Sequence, residues 1–274
     1  MERFVEVPGG RLFALADGDG PPIVLIHAAV ADLRAWDAMV PGLVAAGYRA
    51  IRYDYRGFGR TVTDDVDFSF RADLLAVLDA FGVTRAALVG NSRGGQIAID
   101  TAIESPDRVV AVVGVGSGLG GFEGPLTPQE EALFEEGERL ESAAEPDLDA
   151  LADLEVRVWM DGPGQPPTRV DPAIREALRA MARPLNRPGL VRGRPIRLAP
   201  PANERLGELR CPVLAVAGAL DVSDVAQAAL RLQAAAPSAR AVVWPDVAHM
   251  IGMEAPDRLN ALIADFLAPL RPWK

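Results

Sequence analysis

Continuous apolar runs alternate with segments of helical period through the first third of the chain, a pattern that predicts a largely parallel sheet flanked by helices. Phe4-Val5-Glu6-Val7 and Arg11-Leu12-Phe13-Ala14-Leu15, on either side of Pro8-Gly9-Gly10, predict an N-terminal hairpin. Ile23-Val24-Leu25-Ile26 has no polar alternation, as expected of a strand buried on both faces, and it ends at His27. A helix over about 33–46, a strand at Arg49 to Asp54 and a second helix over about 69–81 follow. That second helix places Leu74, Leu75, Leu78 and Phe81 on one face. Ala86 to Val89 and Val109 to Val113 are two further buried strands.

The alternation stops between about 120 and 205. Thr127-Pro128-Gln129-Glu130 is a capping box with proline at the first helical position, and it opens a very acidic helix. Asp171-Pro172 starts another helix in the same way, and Trp159 to Pro167 between them is rich in turn residues. Arg183, Arg187, Arg192, Arg194 and Arg197 follow with no acid among them; solvated faces account for the acidic and basic halves, with a hold on an anionic substrate as the alternative. Strand and helix patterns resume with Val213 to Ala217, a helix over about 223–235, Ala241 to Trp244 and a final helix over about 255–268. Residues 1–119 and 206–274 therefore predict one α/β core, and residues 120–205 a helical lid inserted between two of its strands.

The 274 residues suffice for one large core, and a formal net charge of −10 gives no electrostatic reason to bind nucleic acid or an anionic membrane. One cysteine, Cys211, excludes an internal disulfide and a cysteine-based zinc site, and reads as a small buried filler. No stretch approaches the roughly 18 apolar residues of a membrane span, and the first residues lack the basic and apolar regions of a secretion signal. The expectation is a cytoplasmic protein acting on a small molecule.

The most informative chemistry lies in Gly90-Asn91-Ser92-Arg93-Gly94, which follows the apolar Ala86 to Val89 run and opens an apolar helix. A strand that turns abruptly into a helix through G-x-S-x-G lifts the serine hydroxyl above the sheet, and the flanking glycines remove side chains that would clash. Serine alone is a weak nucleophile, so Ser92 requires a histidine to take its proton and an acid to hold that histidine. Two histidines are available, His27 and His249.

The chain resembles the α/β-hydrolase superfamily, in its small, lid-bearing, cofactor-free branch. Besides the serine motif, Val24-Leu25-Ile26-His27 resembles the strand leading to an HG oxyanion loop. Tyr53 to Thr61 resembles the D-x-R-G-x-G-x-S loop, and Asp246 to Pro256 the histidine loop. The order Ser, acid, His in that superfamily selects His249 as base and Asp221 as acid, with Asp224 in reserve. By the same resemblance the backbone N–H groups of Ala29 and Arg93 hold the oxyanion, although the flexible glycine of the HG loop is Ala28 here. His27, Asp54 and Arg56 are expected to be structural, and the Arg93 side chain to pair with an acid of the lid, with a place in the pocket, where it would help an oxyanion but oppose an imidazolium on His249, as the alternative.

Trp36, Phe58, Phe122, Phe134 and Trp159 are candidates for an apolar pocket, with Trp36, Phe122 and Trp159 foremost and a core role as the alternative for each. The resemblance implies a serine hydrolase cleaving a carboxylic ester or lactone without metal or organic cofactor. Serine rather than aspartate at 92 argues against the dehalogenase and epoxide-hydrolase branches. A carbon–carbon bond hydrolase of a diketo acid, a perhydrolase, a slow-turnover ligand receptor and an acyl-transferring biosynthetic enzyme remain open.

Overall fold

In the computed structural model, which describes residues 1–273, the apolar runs assemble into one nine-stranded sheet. Its strands are β1 (Glu2–Val7), β2 (Gly10–Asp17), β3 (Pro22–Ile26), β4 (Arg49–Tyr53), the short β5 (Val62–Thr63), β7 (Ala86–Asn91), β8 (Val109–Val115), β10 (Val213–Gly218) and β11 (Ala239–Trp244). The spatial order is β1-β2-β4-β3-β7-β8-β10-β11, with β5 paired to β2. The hairpin β1–β2 is antiparallel, β2 meets β4 antiparallel, and every pairing from β4 to β11 is parallel. Two further strands, β6 (Asp67–Phe68) and β9 (Arg194–Pro195), pair with each other apart from this sheet.

Strands β3, β7, β8 and β10 are buried at every position. Their uninterrupted apolar runs follow from helices on both faces. These are α1 (Val40–Ala45), α2 (Phe70–Ala80), α3 (Arg93–Glu104), α8 (Ser223–Ala235), the single turn α9 (Ile251–Glu254) and α10 (Pro256–Leu267). Leu74, Ile97, Ala98 and Leu232 pack on one face; Leu43, Leu259 and Ile263 pack on the other. The helix expected over 33–46 is broken into a 3-10 turn at Leu33–Trp36 and the separate α1, whose first turn holds Pro41. Proline lacks the N–H that a continuous helix needs there.

Between β8 and β10 run α4 (Pro128–Glu141), α5 (Leu148–Glu155), α6 (Pro172–Ala182) and the short α7 (Ala202–Arg205); α5 continues into a π-helical turn at Val156–Asp161. The segment is not purely helical, because β9 falls inside it. The Thr127 capping box forms: Glu130 Oε2 accepts from Thr127 N at 2.7 Å, and Glu130 N donates to Thr127 Oγ1 at 3.3 Å. The other carboxylate oxygen of Glu130 accepts from both Ser223 N and Ser223 Oγ, tying the start of α4 to the start of α8. Burial opposes ionisation of Glu130, yet these donors hold its carboxyl below its ordinary value.

An apolar cluster of Ala28, Val30, Val156, Met160, Leu178 and Met250 seats the inserted helices directly on the loop after β3 and on the residue following His249. The insertion therefore covers the carboxyl end of the sheet, where ligands of parallel sheets bind. Among the described residues no helix is long and apolar enough to cross a membrane.

Candidate active site

Ser92 lies between the last residue of β7 and the first of α3, with φ 55° and ψ −117°. It is the one non-glycine residue with positive φ among those described. Such a conformation costs about 1–3 kcal/mol and persists only where the surroundings impose it. They do so here: Ser92 N donates to Val115 O at 2.9 Å, and Ser92 O accepts from Gly118 N at 3.2 Å and Gln96 N at 3.1 Å. A Cβ on Gly90 would fall 2.1 Å from Gly94 O, and one on Gly94 would fall 2.1 Å from Ile26 O. Both contacts are to backbone, so the two glycines are what allows β7, β3 and α3 to cross this closely.

His249 follows β11 and is 2% exposed; its Nδ1 donates to Asp221 Oδ2 at 2.8 Å. Asp221 follows β10, and its second oxygen accepts from Val222 N at 2.7 Å. With Nδ1 carrying the proton for that bond, Nε2 of a neutral imidazole is the free acceptor. Asp224 makes no hydrogen bond to His249, and burial raises its carboxyl above the ordinary range, with Asp221 adding to the rise.

Three side chains hold this histidine and its loop in place. Asn91, next to Ser92 and 4% exposed, donates from Nδ2 to Val115 O at 2.9 Å and to His249 O at 3.2 Å. Glu254 accepts from Ala248 N at 3.0 Å through Oε1 and from Arg169 through Oε2. Arg169 also donates to Met160 O and Asp161 O, so the inserted helices and the histidine loop share one guanidinium. Trp159, on the π-helical turn, lies 4.5 Å from the imidazole, centroid to centroid.

Neither Ala29 N nor Arg93 N is occupied by an acceptor among the described residues, which leaves both amides able to receive an oxyanion. Ala28 does not have positive φ, so alanine imposes no strain in place of the expected glycine. His27 is fully buried and donates from Nδ1 to Ala28 O at 2.8 Å; its Nε2 accepts from Tyr55 N at 3.4 Å and its ring stacks on Tyr55 at 4.0 Å. Burial lowers its pKa to about 4, so it is a neutral brace of this loop.

Asp54 braces the loop next to it. Its carboxylate accepts from Leu33 N and Arg60 N, each at 2.8 Å, although burial raises it to about 6. Arg56 is 2% exposed, and its side chain makes five hydrogen bonds: two to Asp73, and one each to Pro8 O, Gly9 O and Thr63 Oγ1. Five donors meet five acceptors, the condition under which a buried guanidinium is tolerated.

A sequence profile described as "Alpha/beta hydrolase family" matches residues 23–262. The chain belongs to the alpha/beta hydrolase family. This hydrolase is 28% identical over 281 residues to the 2-hydroxy-6-oxononadienedioate/2-hydroxy-6-oxononatrienedioate hydrolase of Klebsiella pneumoniae, an alignment covering 97% of the chain and 95% of that protein. It is 34% identical over 124 residues to Epoxide hydrolase B of Mycobacterium tuberculosis, covering 42% of the chain and 35% of that protein. A thermophilic esterase from Thermogutta terrifontis shares the fold, with TM-score 0.78, 22% identity, and coverage of 99% of this chain and 100% of that one.

Two expectations from sequence need correction. Trp36 does not face a pocket: it is 2% exposed and packs in the core against α9, where a Cβ on Gly252 would stand 3.0 Å from its ring, because the chain breaks at the 3-10 turn and folds it inward. Arg93 does not pair with an acid of the inserted helices; it is exposed and forms no ion pair among the described residues. Phe122, Phe134 and Trp159 are half-buried against the main core, and of these Trp159 alone contacts His249. The cavity of about 560 Å³ beside Asp54, Phe58 and Leu185 is lined by neither Ser92 nor His249. Asn91 and Glu254 carry no local sequence signal of their roles, since their partners lie on distant loops.

Near the serine, on α3, Asp100 is 7% exposed and burial raises its carboxyl to about 6 from 3.8. Its folded-state pKa exceeds the ordinary one, so the stability gained from the extra proton is present below about pH 4 and is lost as pH rises through about 6. At 1.36 kcal/mol per unit, the ionised form costs on the order of 2–3 kcal/mol. Asp100→Asn is expected to leave urea stability unchanged near pH 4 and to raise it by about that amount at pH 8. Equal effects at both pH values would refute this account.

Proposed function

We propose that the hydrolase cleaves a carboxylic ester or lactone through an acyl-enzyme formed on Ser92. The observation that carries this reading is the His249 Nδ1 to Asp221 Oδ2 bond of 2.8 Å, on loops at the same sheet end as the strained Ser92 turn. Asp221 holds the imidazole in the tautomer whose Nε2 takes the Ser92 proton as the hydroxyl attacks the carbonyl. The negative charge then moves to the carbonyl oxygen, where the unoccupied amides of Ala29 and Arg93 receive it. Collapse of the tetrahedral intermediate expels the alcohol with the proton from His249. Water, deprotonated by the same Nε2, then attacks the acyl-enzyme and releases the acid.

Residues 120–205 act in this reading as a lid. Its Trp159 lies against His249, and its Arg169 braces the histidine loop through Glu254. A buried imidazole beneath such a cover works in a medium of low polarity, where the oxyanion contacts count for more. The protein is proposed to act in the cytoplasm on a small molecule, with no part for nucleic acid or membrane.

A second reading is supported by the Klebsiella relative, aligned over nearly its full length: carbon–carbon bond hydrolysis of a diketo acid by the same three residues. The epoxide-hydrolase likeness covers less than half the chain and lacks the aspartate nucleophile of that branch, since the position is Ser92.

A chain-length series of p-nitrophenyl esters at neutral pH without added metal, combined with mass analysis after treatment with a fluorophosphonate, tests the ester reading. The expected result is turnover and a single adduct on the peptide containing Ser92. An adduct on Ser92 without ester turnover would favour the carbon–carbon reading; no adduct would overturn both.

A further inference from the structure

The basic run of the insertion divides into two kinds. Arg183 pairs with Asp149, and Arg194 with Asp65 and Asp67. Arg197 forms no ion pair among the described residues. It lines a cavity of about 250 Å³ together with Arg71 at the start of α2 and Arg93, Gln96 and Asp100 on α3. Among the described residues the other two arginines also lack a carboxylate partner, and Arg71 reaches only Ile196 O, at 3.5 Å. Three arginines thus line one hollow in a chain whose net charge is −10.

The single acid that lines it, Asp100, forms no ion pair with them among the described residues. Asp100 is 7% exposed, and its Oδ1 is buried without any hydrogen-bond partner among the described residues. Buried polar atoms are normally satisfied, so an orphaned carboxylate oxygen at a cavity wall marks a place for a donor. Gln96 Nε2 and Asp100 Oδ1 both approach Gly120, lying 3.1 Å and 3.8 Å from where a Cβ on that glycine would stand. A glycine at that place keeps the cavity open beside both groups.

We propose that this cavity is the subsite for an anionic head of the substrate, a carboxylate carrying a hydroxyl or N–H on the adjacent carbon. The arginines take the carboxylate, which guanidinium recognises through paired hydrogen bonds. Asp100 Oδ1 accepts from the neighbouring hydroxyl or N–H. The inference rests on Ser92 being the nucleophile: Arg93, the next residue, lines the cavity, whose walls themselves include neither Ser92 nor His249. From Arg93 to Asp100 the helix rises about 10 Å, which sets the scale of the tether between ester and acid. The volume equals about eight waters at ~30 Å³ each, room for a small head and not for a second chain.

The test compares mono-p-nitrophenyl esters of succinate, glutarate and adipate with the same compounds methylated on the free carboxylate. A charge-assisted hydrogen bond corresponds to roughly 10- to 100-fold in binding. The kcat/KM ratio of anionic to neutral ester is therefore expected to exceed about 10 at one of the three lengths. In Arg197→Gln and Arg71→Gln the ratio is expected to fall by about tenfold, and in Arg194→Gln, on the paired neighbour, to stay at the wild-type value. A ratio at or below unity at every length, or one that the Arg197 and Arg71 substitutions leave unaltered, overturns the proposal.

If no ester is hydrolysed, the ester reading fails separately, and calorimetric titration with 2-hydroxyglutarate decides the subsite. Binding that weakens in Arg197→Gln, and that exceeds binding of plain glutarate, upholds it. Absence of binding by the wild type refutes it.

Discussion

Replacing Ser92 by alanine is expected to lower kcat for any ester the wild type hydrolyses by about 10⁴- to 10⁶-fold, because triad members act as a unit. The folded state should be almost unaffected. Ser92 contributes only its backbone to the turn, through Val115 O, Gly118 N and Gln96 N, and alanine preserves all three bonds. Alanine also preserves the strain, since φ of 55° and ψ of −117° is as unfavourable for it as for serine. Glycine is different. Ser92→Gly should be equally inactive yet more stable by about 1 kcal/mol, since glycine occupies positive φ without penalty. In a chain of this size that corresponds to a rise in Tm of roughly 2–4 °C. Steady-state kinetics with thermal unfolding of the three proteins check both statements. An active Ser92→Ala enzyme would remove Ser92 from the mechanism; a Ser92→Gly protein less stable than wild type would show that the turn is not strained.

Asp221→Asn is the second large effect, a loss of about 10⁴-fold in kcat with little change in KM. The loss comes from tautomer choice and not from misplacement. Asp221 Oδ1 is held by Val222 N at 2.7 Å, so an asparagine oxygen stays on that side and its amide nitrogen faces His249. A donor there obliges Nδ1 to accept, the ring proton moves to Nε2, and the atom that should take the Ser92 proton is already occupied. Asp224→Asn offers the contrast. Asp224 makes no bond to the imidazole, so the rate of this variant should remain within about threefold of wild type, the scale of a charge a few ångströms away that is screened nearly as in bulk water. Parallel kcat and KM values for the two variants decide between the carboxylates, and a severe loss in Asp224→Asn with a mild one in Asp221→Asn would reverse their roles.

Elements carried by local signals are legible in the order of residues alone. The helix expected over 223–235 is Ser223–Ala235, the one over 69–81 is Phe70–Ala80, and the Thr127 capping box forms as its residues require. The serine turn is legible for the same reason, since G-x-S-x-G between an apolar strand and an apolar helix admits few backbone paths. Expectation and fold part where a local signal has two readings. Trp36 and Trp159 are both large aromatics near turn-rich segments, and nothing within a few residues of either says that one is core and the other lies on His249. Acids are abundant in the insertion, which makes an ion pair for Arg93 a natural expectation, yet among the described residues Glu136, Asp149, Asp153 and Asp161 pair with Arg157, Arg175, Arg179 and Arg183, and no acid reaches Arg93.

The kind of sheet, the family and the candidate set of Ser92, His249 and Asp221 all follow from the residues in order, because hydrophobic period, glycine spacing and motif order are properties of neighbours along the chain. Which groups meet is a property of the folded chain. Asn91 reaches His249 O across 158 residues, Glu254 joins Ala248 to Arg169 across 85, and Asp100 Oδ1 is left without a partner among the described residues in a hollow walled in part by Pro195, Ile196 and Arg197 of the insertion. Such contacts depend on how the sheet twists and how the insertion closes over it, and each is chosen by the packing of the whole chain rather than by the preferences of the residues that make it.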